Sequence, residues 1–462
     1  MTTKKEKSGK GTTQKVTARK KKPASKPSEG KTQFPVVGIG ASAGGLEAFQ
    51  EFFTAMPEDS GVAFVLISHL DPSHTSILPD LIQRKTQMKV TQITDNMALV
   101  PNQVFIIPPN KELSILNGTL QLMEMHRPRG VNLPIDSFLR SLALDQKDRA
   151  VGIILSGTGT DGTLGIRAVK GEGGMVMVQD ADSAKYDGMP MNAIATGLVD
   201  YILSPGKMPE QLLNYVQHQG RKQERPVSDD GSMQSALQKI FILIRTATGH
   251  DFSLYKKNTI NRRIERRMHI HQIDKIDEYI RYLQNSESEI SILFRELLIG
   301  VTSFFRDSEA FDLLKEQYLP LLLKDKADDY QVRIWVTGCS SGEEAYSIAI
   351  ILLEVMEALG RHFTVQIFGT DLDENAINVA RVGMYPAAIS ADVSPQRLQK
   401  FFTKDENHYR VKKMSVKWWS LPRKMLPRIH PLPNWTCCAV EICLFTSVRS
   451  CRRNYFLYSI TV

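Results

Sequence analysis

Apolar and polar positions follow two periods along the first half of the chain, from Phe34 to about Gln219. Short apolar runs, typical of buried strands, are each followed by stretches whose apolar residues recur every three or four positions, as on one face of a helix. This alternation predicts an α/β domain with a doubly wound, mostly parallel sheet that helices cover on both faces. The clearest strand runs are VAFVLISH, QVFIIPP, RAVGIILSG and GGMVMVQD, and the clearest helical stretches are GLEAFQEFFTAM, TSILPDLIQRK, PIDSFLRSLALDQ and DGTLGIRAVKGE.

A second patterned region follows a polar, proline-containing stretch at 220–230, which we interpret as a linker between domains. Residues 231–298 show helical spacing and predict a small all-helical subdomain. Residues 299–413 contain two strand-turn-helix patterns, VRIWVTGCSSGEEAYSIAIILLEV and TVQIFGTDLDENAINVAR, which predict a second α/β domain.

A basic stretch, YKKNTINRRIERRMHIHQ at 255–272, lies within the predicted helical subdomain. Its lysines and arginines recur every three or four positions, so on a helix they would form a charged face. Two interpretations of this face remain open: it is solvated, or it is a docking face for an acidic helical partner.

The charge of the chain is concentrated at its two ends, although the formal total is +8. Residues 1–31 contain eleven Lys and Arg against two Asp and Glu, and residues 414–462 contain seven against one, which leaves 40 basic and 47 acidic residues between them. That region is mildly acidic and does not indicate a groove for nucleic acid. We expect residues 1–33 to be a disordered basic arm, either a solvated leader or a tether to acidic surfaces.

The sequence contains no long apolar span and no signal-peptide core, so we expect a cytoplasmic protein that is not inserted in a membrane. Only Cys339 of the five cysteines lies before residue 414, and disulfides are not expected. The pair Cys437 and Cys438 lacks the C-x-x-C spacing of a metal site and has only His430 nearby, so no metal site is predicted.

The stretch FPVVGIGASAGG at 34–45 predicts a strand, a glycine-rich turn that contains Ser42, and the start of a helix. Its glycines allow a ligand to approach closely, and the amides at the helix start can hold an anion. Ser42 is therefore either a residue of a phosphate-binding or structural turn, or a nucleophile beside an oxyanion hole.

Two further polar residues follow predicted strands: His69 closes VAFVLISH, and Asp161 lies in the turn after RAVGIILSG. Because parallel strands end at one edge of a sheet, Ser42, His69 and Asp161 predict a nucleophile, its base and the acid that orients the base. Taken singly, His69 is also compatible with a satisfied strand-end histidine, and Asp161 with a helix N-cap. The order of the three differs from that of α/β-hydrolases, and no G-x-S-x-G motif is present.

The first half resembles the CheB-type protein-glutamate methylesterases of chemotaxis, whose motifs match GIGASAGG, the histidine of ISHLDPSH, and GTGTDG in order. The resemblance implies that Ser42 attacks the γ-methyl ester of a receptor glutamate, that His69 acts as general base and then acid, and that Asp161 orients His69. It also implies deamidation of certain glutamines, no cofactor for the esterase, and the cytoplasmic helices of methyl-accepting receptors as partners.

Two features depart from the pattern of this family. The receiver domain that usually precedes the catalytic domain is replaced by the basic arm, so phosphorylation control through it is not expected. Thr158 stands where many relatives carry Met, near the oxyanion site.

We expect the amides after Ser42 to reach the oxyanion, and Gly44→Val to disturb that arrangement.

The second half carries a candidate nucleotide site. Asp371 ends a predicted strand and is placed to hold two ribose hydroxyls, while the turn after VRIWVTG lets a cofactor lie against the backbone. The pattern favours nucleotide-type binding, and the alternative is an ordinary βαβ unit with capping acids.

SFFRD, GCSSGEEAYSIA and GTDLDENAI resemble, in order, the motifs of CheR-type chemotaxis methyltransferases, which use S-adenosylmethionine to methylate receptor glutamates. The resemblance implies that Thr302 and Arg306 contact this cofactor, that Glu344 lies in its pocket and that Asp371 binds its ribose. It also implies that the basic face at 256–267 approaches the receptor.

The pattern ends after about Lys413. Residues 414–462 hold three of the four tryptophans and four of the five cysteines, and show neither strand alternation nor a helical period. Relatives should continue here with strands and a Cys-Arg-Asn loop over the cofactor. We interpret the tail as aberrant, the product of a reading-frame error that leaves a truncated Rossmann-like domain with impaired cofactor binding, and resequencing of the coding DNA tests this.

Two functions of different classes follow from the sequence. The leading hypothesis is a bifunctional enzyme that removes methyl groups from receptor glutamates with its first half and adds them with its second. The alternative is a signalling scaffold that binds receptor helices with only the esterase, or neither half, active.

Overall fold

The structure, a computed structural model, describes residues 34–69, 77–124, 133–223, 230–253, 255, 257–300, 302–327, 330–405, 408–413, 416–420 and 438–439. The predicted basic arm, the segment after His69 and most of the predicted tail lie outside the described residues. Two α/β domains and a helical subdomain make up the described part of the chain. None of its helices is both long and apolar enough to cross a bilayer.

The first domain contains ten strands: β1 (Val36–Ala41), β2 (Ala63–Ser68), β3 (Lys89–Gln92), β4 (Met97–Ala98), β5 (Gln103–Ile106), β6 (Lys111–Leu116), β7 (Thr119–Glu124), β8 (Ala150–Ile154), β9 (Met175–Gln179) and β10 (Tyr201–Leu203). Seven of them form one sheet in the order β10-β9-β8-β1-β2-β5-β3, and every neighbouring pair is parallel. The other three form a small antiparallel sheet in the order β4-β7-β6. The mostly parallel sheet predicted from the sequence is thus confirmed.

Helices cover both faces of the large sheet. They are α1 (Gly45–Ala55), α2 (Leu78–Gln83), α3 (Pro134–Gln146), α4 (Thr163–Gly171), α5 (Gly188–Ala195) and α6 (Met208–Gln223). One core joins the sheet to α1 and α6 through residues such as Phe52 and Leu212, and the other joins it to α3 and α4 through Phe138 and Ile166. The two cores bury the alternate faces of the central strands β1, β2, β8 and β9, which explains their continuous apolar runs in the sequence.

The helical subdomain comprises α7 (Asp230–Thr248), α8 (Lys257–Ile270), α9 (Ile276–Asn285) and α10 (Glu287–Leu297). These helices enclose a core of their own, which includes Ile240, Tyr279 and Leu293. The connection to the first domain is shorter than the linker interpreted at 220–230, because α6 continues to Gln223 and α7 begins at Asp230. Residues 224–229 lie outside the described residues.

The basic stretch forms α8, but three of its arginines fit neither of the two interpretations made from the sequence. Arg263, Arg266 and Arg267 are buried inside the protein. Arg263 donates to the carbonyl oxygens of Lys170 and Gly171 at 2.5 and 2.7 Å, and so binds the end of α4 in the first domain. The charged face of this helix is therefore an internal contact between domains.

The second α/β domain contains α11 (Ser308–Leu313), α12 (Leu319–Leu323), β11 (Gln331–Thr337), α13 (Glu343–Ala358), β12 (Thr364–Thr370), α14 (Glu374–Val382), β13 (Met384–Pro386), α15 (Pro395–Phe401), β14 (Phe402–Asp405), β15 (His408–Val411), β16 (Val416–Ser420) and β17 (Cys438–Ala439). Both predicted strand-turn-helix units are present. Its main sheet has the order β16-β12-β11-β17, and β13, β15 and β14 form a small antiparallel sheet.

Regular structure extends past the boundary expected at Lys413. Strand β16 pairs in parallel with β12, from Val365 to Gly369, and the two residues of β17 pair with Ile334 and Trp335 of β11. Backbone pairing requires no alternation of side chains, and Lys417 interrupts the short apolar run, so the sequence pattern gave no sign of β16.

Candidate active sites

The structure brings Ser42, His69 and Asp161 together at the edge where β1, β2 and β8 end. The Oγ of Ser42 lies 3.1 Å from Nδ1 of His69, and Nε2 of His69 lies 2.9 Å from Oδ2 of Asp161. A neutral ring with its proton on Nε2 donates to Asp161 and leaves the Nδ1 lone pair to accept the serine proton. The arrangement can therefore activate the hydroxyl as a nucleophile.

The three side chains differ in exposure. Ser42 is half-buried and the side chain of His69 is 33% exposed, whereas that of Asp161 is 2% exposed. A substrate can thus reach the hydroxyl and the ring from solvent while the carboxylate stays enclosed by protein.

Asp161 is held by backbone amides. Its Oδ1 accepts from the amides of Asp136 and Gly162, both at 2.9 Å, and its Oδ2 accepts from the amide of Ile135 at 3.1 Å. Two of these donors belong to the first turn of α3, whose positive dipole end stabilises the carboxylate. Asp161 therefore also caps a helix. The helix that it caps is α3, whereas the helix that follows it in sequence is α4.

The site lies where the winding direction of the sheet reverses. From β1 the chain proceeds through β2 to one edge of the sheet, and then returns to add β8, β9 and β10 on the other side of β1. The loops after β1 and β8 consequently diverge and leave a crevice at their carboxyl ends. Ser42 and Asp161 occupy those two loops.

Ser156 fixes the turn that carries Ser42. Its Oγ donates to the carbonyl of Ala43 at 2.9 Å and accepts from the amide of Tyr186 at 3.0 Å, and its own carbonyl accepts from the amide of Ser42 at 3.0 Å. The amide of Ser156 in turn donates to Gln179 at 2.8 Å. Sequence reasoning missed Ser156 and Gln179, because their role depends on bonds between distant strands.

Glycines let these elements approach one another closely. A Cβ at Gly40 would lie 2.4 Å from Ile135 of α3, and a Cβ at Gly157 would lie 3.0 Å from the Cβ of Ser42. Gly44 has a φ of +72°, and a Cβ there would lie 2.7 Å from Oγ of Ser156 and 2.8 Å from Cβ of Lys185. The turn thus has no room for larger residues, which supports the expectation for Gly44→Val.

The candidate cofactor site lies where β11 and β12 end. The carboxylate of Asp371 accepts from the amide of Ser340 at 2.7 Å and from that of Asp373 at 2.8 Å, so it ties the two strand-end loops together. Burial raises its pKa, although these bonds oppose the effect. The pKa of Tyr255, in the helical subdomain, is also raised. Burial is the main cause, and the nearby charge of Asp371 adds to it.

Arg306 and Glu344 face each other beside this loop. Burial raises the pKa of Glu344 to about 7, and the charge of Arg306 opposes this rise. Burial lowers the pKa of Arg306, and the charges of Glu172 and Glu344 oppose this fall. Thr302 is half-buried four residues before Arg306, and within the described part of the chain it makes no hydrogen bond to the other predicted cofactor residues.

The backbone around this site leaves room for a ligand. Gly338, directly after β11, has a φ of +64°, and a Cβ there would meet nothing within 4 Å. Phe305, Asp307 and Ser340 also have positive φ angles, of 50°, 65° and 46°. Residues with such positive φ angles cluster at functional sites, and here they lie in the loops beside Asp371 and Glu344.

Helix α4 of the first domain reaches the same loop. Arg167 donates to Oγ of Ser341 at 3.3 Å and lies 3.5 Å from Oε1 of Glu343. Arg140 of α3 pairs with Asp392 at 2.9 Å. The helices that surround Asp161 therefore also contact the candidate cofactor domain.

Comparison with known families divides the chain in the same way. Residues 37–212 match the model of the CheB methylesterase family. Residues 235–298 match the all-alpha domain of CheR methyltransferases, and residues 300–418 match the SAM-binding domain of CheR methyltransferases.

Similar proteins carry names of both kinds. An uncharacterized 104.1 kDa protein of Rhodobacter capsulatus is 36% identical over 72% of this chain and 37% of its own length. A chemotaxis protein methyltransferase of Borreliella burgdorferi is 34% identical over 32% of this chain and 54% of its own length. A protein-glutamate methylesterase/protein-glutamine glutaminase of Geobacter metallireducens is 30% identical over 40% of this chain and 52% of its own length. The matches thus span about half or less of each relative.

Proposed function

We propose that this chain, which joins a CheB methylesterase domain to the two domains of a CheR methyltransferase, is a bifunctional enzyme of chemotaxis-type receptor modification. Its first domain hydrolyses glutamate γ-methyl esters on the cytoplasmic helices of a methyl-accepting receptor. Its second domain transfers methyl groups to receptor glutamates. The observation that carries the esterase proposal is the hydrogen-bonded row of Ser42, His69 and Asp161.

Ester cleavage begins at Ser42. Nδ1 of His69 takes the hydroxyl proton as Oγ bonds to the ester carbonyl carbon, and Asp161 stabilises the imidazolium that forms. Within the described residues, the amide of Ser42 is already bonded to Ser156 and that of Gly45 to Ser42, which leaves the amides of Ala43 and Gly44 for the oxyanion. The imidazolium then gives its proton to the departing methoxide, and methanol leaves an acyl-enzyme.

Water completes the reaction. His69 takes a proton from the water molecule that attacks the acyl-enzyme, and returns it to Oγ of Ser42 as the glutamate carboxyl is released. The same steps act on a glutamine side chain, with ammonia in place of methanol as the leaving group. This chemistry uses only the side chains and amides of the chain.

The first experiment compares the native protein with Ser42→Ala. The substrate is a synthetic helical peptide with glutamate γ-methyl esters, and the measurement is methanol release. We expect Ser42→Ala to lower kcat by at least about 10³-fold, because the nucleophile is lost. Equal release by both proteins would exclude the triad mechanism.

The methyltransferase proposal rests on the second site. Asp371, Glu344, Thr302 and Arg306 would hold S-adenosylmethionine, which supplies an activated methyl group on a sulfonium centre. The acidic residues favour a cationic cofactor, and the chain's task is to align the receptor carboxylate with the methyl group. This half is the one that we propose to be impaired.

A second candidate function is a scaffold whose methyltransferase half binds receptor helices without turnover. The observation that favours it is the short main sheet of the second domain, in which the described part of the chain provides four strands and β17 has two residues. Transfer of radioactive methyl groups from S-adenosylmethionine to receptor protein distinguishes the candidates, and measurable transfer would exclude the scaffold.

A further inference from the structure

Asp136 is a buried carboxylic acid beside the triad to which the proposed mechanism gives no part. It is the third residue of α3, it is 4% exposed, and its own amide donates to Oδ1 of Asp161. Its Oδ1 accepts from the amide of Gly165 at 2.6 Å, in the first turn of α4.

The two helices therefore exchange caps. Asp161, two residues before the first residue of α4, accepts the amides of Ile135 and Asp136 in α3, while Asp136 accepts the amide of Gly165 in the first turn of α4. The first four amides of a helix have no partner within the helix, so each carboxyl satisfies donors that would otherwise be buried without one. Neither helix start can shift without breaking the cap of the other.

The contact between the helices is close at this point. A Cβ at Gly165 would lie 2.6 Å from the Cβ of Leu139 and 3.3 Å from the Cα of Asp136. Only Gly162 separates Asp161 from the first residue of α4, so a displacement of α4 against α3 moves the carboxylate that faces His69. The position of Asp161 thus depends on the side chain of Asp136.

The Asp136 side chain contributes a hydrogen-bond acceptor at this contact. Its Oδ1 accepts from α4, while its Oδ2 is buried and has no hydrogen-bond partner among the described residues. Burial and the neighbouring charge of Asp161 raise the pKa of Asp136 well above its ordinary range, and the amide of Gly165 and the charge of Arg140 oppose the rise. What α4 requires from this side chain is an acceptor, which a carboxyl or an amide oxygen provides.

We propose that Asp136 is a positioning residue of the esterase: its carboxyl oxygen holds the first turns of α3 and α4 together and so keeps Asp161 in line with His69. This inference rests on the proposed esterase function.

The test uses Asp136→Asn and Asp136→Leu in the full chain, with the methyl-ester peptide as substrate. A fluorophosphonate reagent that labels active serines normalises the rates to competent sites. Asp136→Asn keeps the acceptor, and its kcat should lie within about threefold of the native value. Asp136→Leu removes it, and kcat should fall by about 10- to 100-fold with little change in KM.

The pH profile separates positioning from general stability. Asp161 stabilises the protonated ring, so its displacement should move the basic group's midpoint in the kcat/KM profile to lower pH in Asp136→Leu. Asp136→Asn should keep the native midpoint. A folded Asp136→Leu variant with native kcat and midpoint would overturn the proposal, and so would an Asp136→Asn variant as impaired as Asp136→Leu.

Gly165→Ala is a second route to the same result if Asp136→Leu does not fold. The added methyl group pushes α4 from Leu139 while Asp136 stays intact, and it should lower kcat and shift the midpoint in the same direction. A folded Gly165→Ala variant with native kcat and midpoint would contradict the proposal.

A measurement without substrate distinguishes this inference from the proposed function. The proton on Nε2 of His69, shared with Asp161, should give a downfield resonance in the native protein and in Asp136→Asn that is lost in Asp136→Leu. If native protein and Ser42→Ala release methanol equally, the proposed function is wrong, and the resonance still decides the role of Asp136.

Discussion

Gly44 and Gly61 have nearly the same backbone angle but different surroundings. Their φ angles are +72° and +71°, yet a Cβ at Gly44 would collide with Ser156 and Lys185, whereas a Cβ at Gly61 would meet nothing within 4 Å. Substitutions at these two glycines can therefore be compared. Both incur the strain of a positive φ, but only a substitution at Gly44 also displaces the turn that carries Ser42.

We expect Gly44→Val to lower kcat for ester hydrolysis by about 10²-fold, because the collision displaces the nucleophile and the amides beside it. Gly61→Val should have the same strained φ, which costs on the order of 1–2 kcal/mol of stability, but a native kcat per folded molecule. Rates normalised by thermal unfolding and serine labelling check this. A folded Gly44→Val variant as active as Gly61→Val would contradict the role of the turn.

Individual side chains differed in how far the sequence could predict them. Ser42, His69 and Asp161 each follow a recognisable strand, so the parallel sheet alone brings them to one edge. Asp136 and Ser156 act through backbone groups far away in sequence, and their residue types are common in first turns and strand ends. Only the packing of α3 on α4, and of β8 beside β1, reveals their partners.

At the scale of elements, α8 shows how a charged helix becomes buried. Arg266 donates to the carbonyl of Gly174 at 2.8 Å and pairs with Glu296 at 2.6 Å and with Asp200 of the first domain. Lys170 completes the cluster, at 2.6 Å from Asp200 and 3.0 Å from Glu296. Arg267 of the same helix also lies 3.4 Å from Glu296, so basic side chains from both domains surround the two buried carboxylates where the helical subdomain meets the first domain.

We expect Arg266→Met to lower the free energy of unfolding by about 3–5 kcal/mol, because it leaves the buried Asp200 with only Lys170 as an ion-pair partner and removes the 2.6 Å contact to Glu296, which keeps Lys170 and Arg267. Arg245→Met on α7 is the matched control, since its side chain is 68% exposed and pairs with Asp251 at 3.4 Å. That variant should change stability by less than about 0.5 kcal/mol. Urea unfolding of the full chain measures both, and equal effects would contradict the burial of the cluster.

The pKa of Glu289, on α10, makes the free energy of unfolding depend on pH in the acid range. Burial raises its pKa, but hydrogen bonds from His271 and Arg267 outweigh burial and lower it to about 2, from an ordinary value of 4.5. The folded state therefore favours the ionised form, and this contribution is fully present above about pH 4.5 and is lost as the pH falls toward 2.

We expect the native protein to lose on the order of 1–3 kcal/mol between pH 5 and pH 2 from this residue alone. Glu289→Gln should be less stable at pH 7 and should have a flatter acid limb. Glu287→Gln, at an exposed position of the same helix, should follow the native curve. Unfolding midpoints measured across this range check the prediction, and identical acid limbs for native protein and Glu289→Gln would refute it.

Element prediction succeeded where the pattern was strong and unobstructed. The buried strands β1, β2, β8 and β9 are continuous apolar runs and were recognised, whereas the antiparallel pair β6 and β7 was not. A signal was available, because Asn117 and Gly118 form the two-residue turn between them with φ angles of 51° and 73°. The role of α8 was not predictable, because its charges are balanced by residues distant in sequence, Glu289 and Glu296 of α10 and Asp200 of the first domain.

At the scale of the whole molecule, the extent of the second α/β domain bears on whether it binds a cofactor. The CheR family match ends at residue 418 of 462, and among the described residues β16 and β17 are the outer strands of the main sheet. Our proposal that residues 414–462 do not continue this domain implies that one wall of its cofactor pocket is unformed.

We therefore expect this chain to bind S-adenosylmethionine with a Kd well above the micromolar range. Calorimetric titration measures it, with the similar Borreliella burgdorferi methyltransferase as the comparison protein. Micromolar binding by this chain would contradict the prediction.

The contacts between the arginines of α8 and the end of α4 also bear on where the protein can be cut into fragments. A fragment that stops at residue 219 would keep Asp200 and Lys170 but lose Arg263 and Arg266, and with them the donors for the carbonyls of Lys170, Gly171 and Gly174. An esterase module for transplantation should instead extend through α10, to about residue 298. The unit of exchange in this protein is therefore larger than the family domain that performs the chemistry.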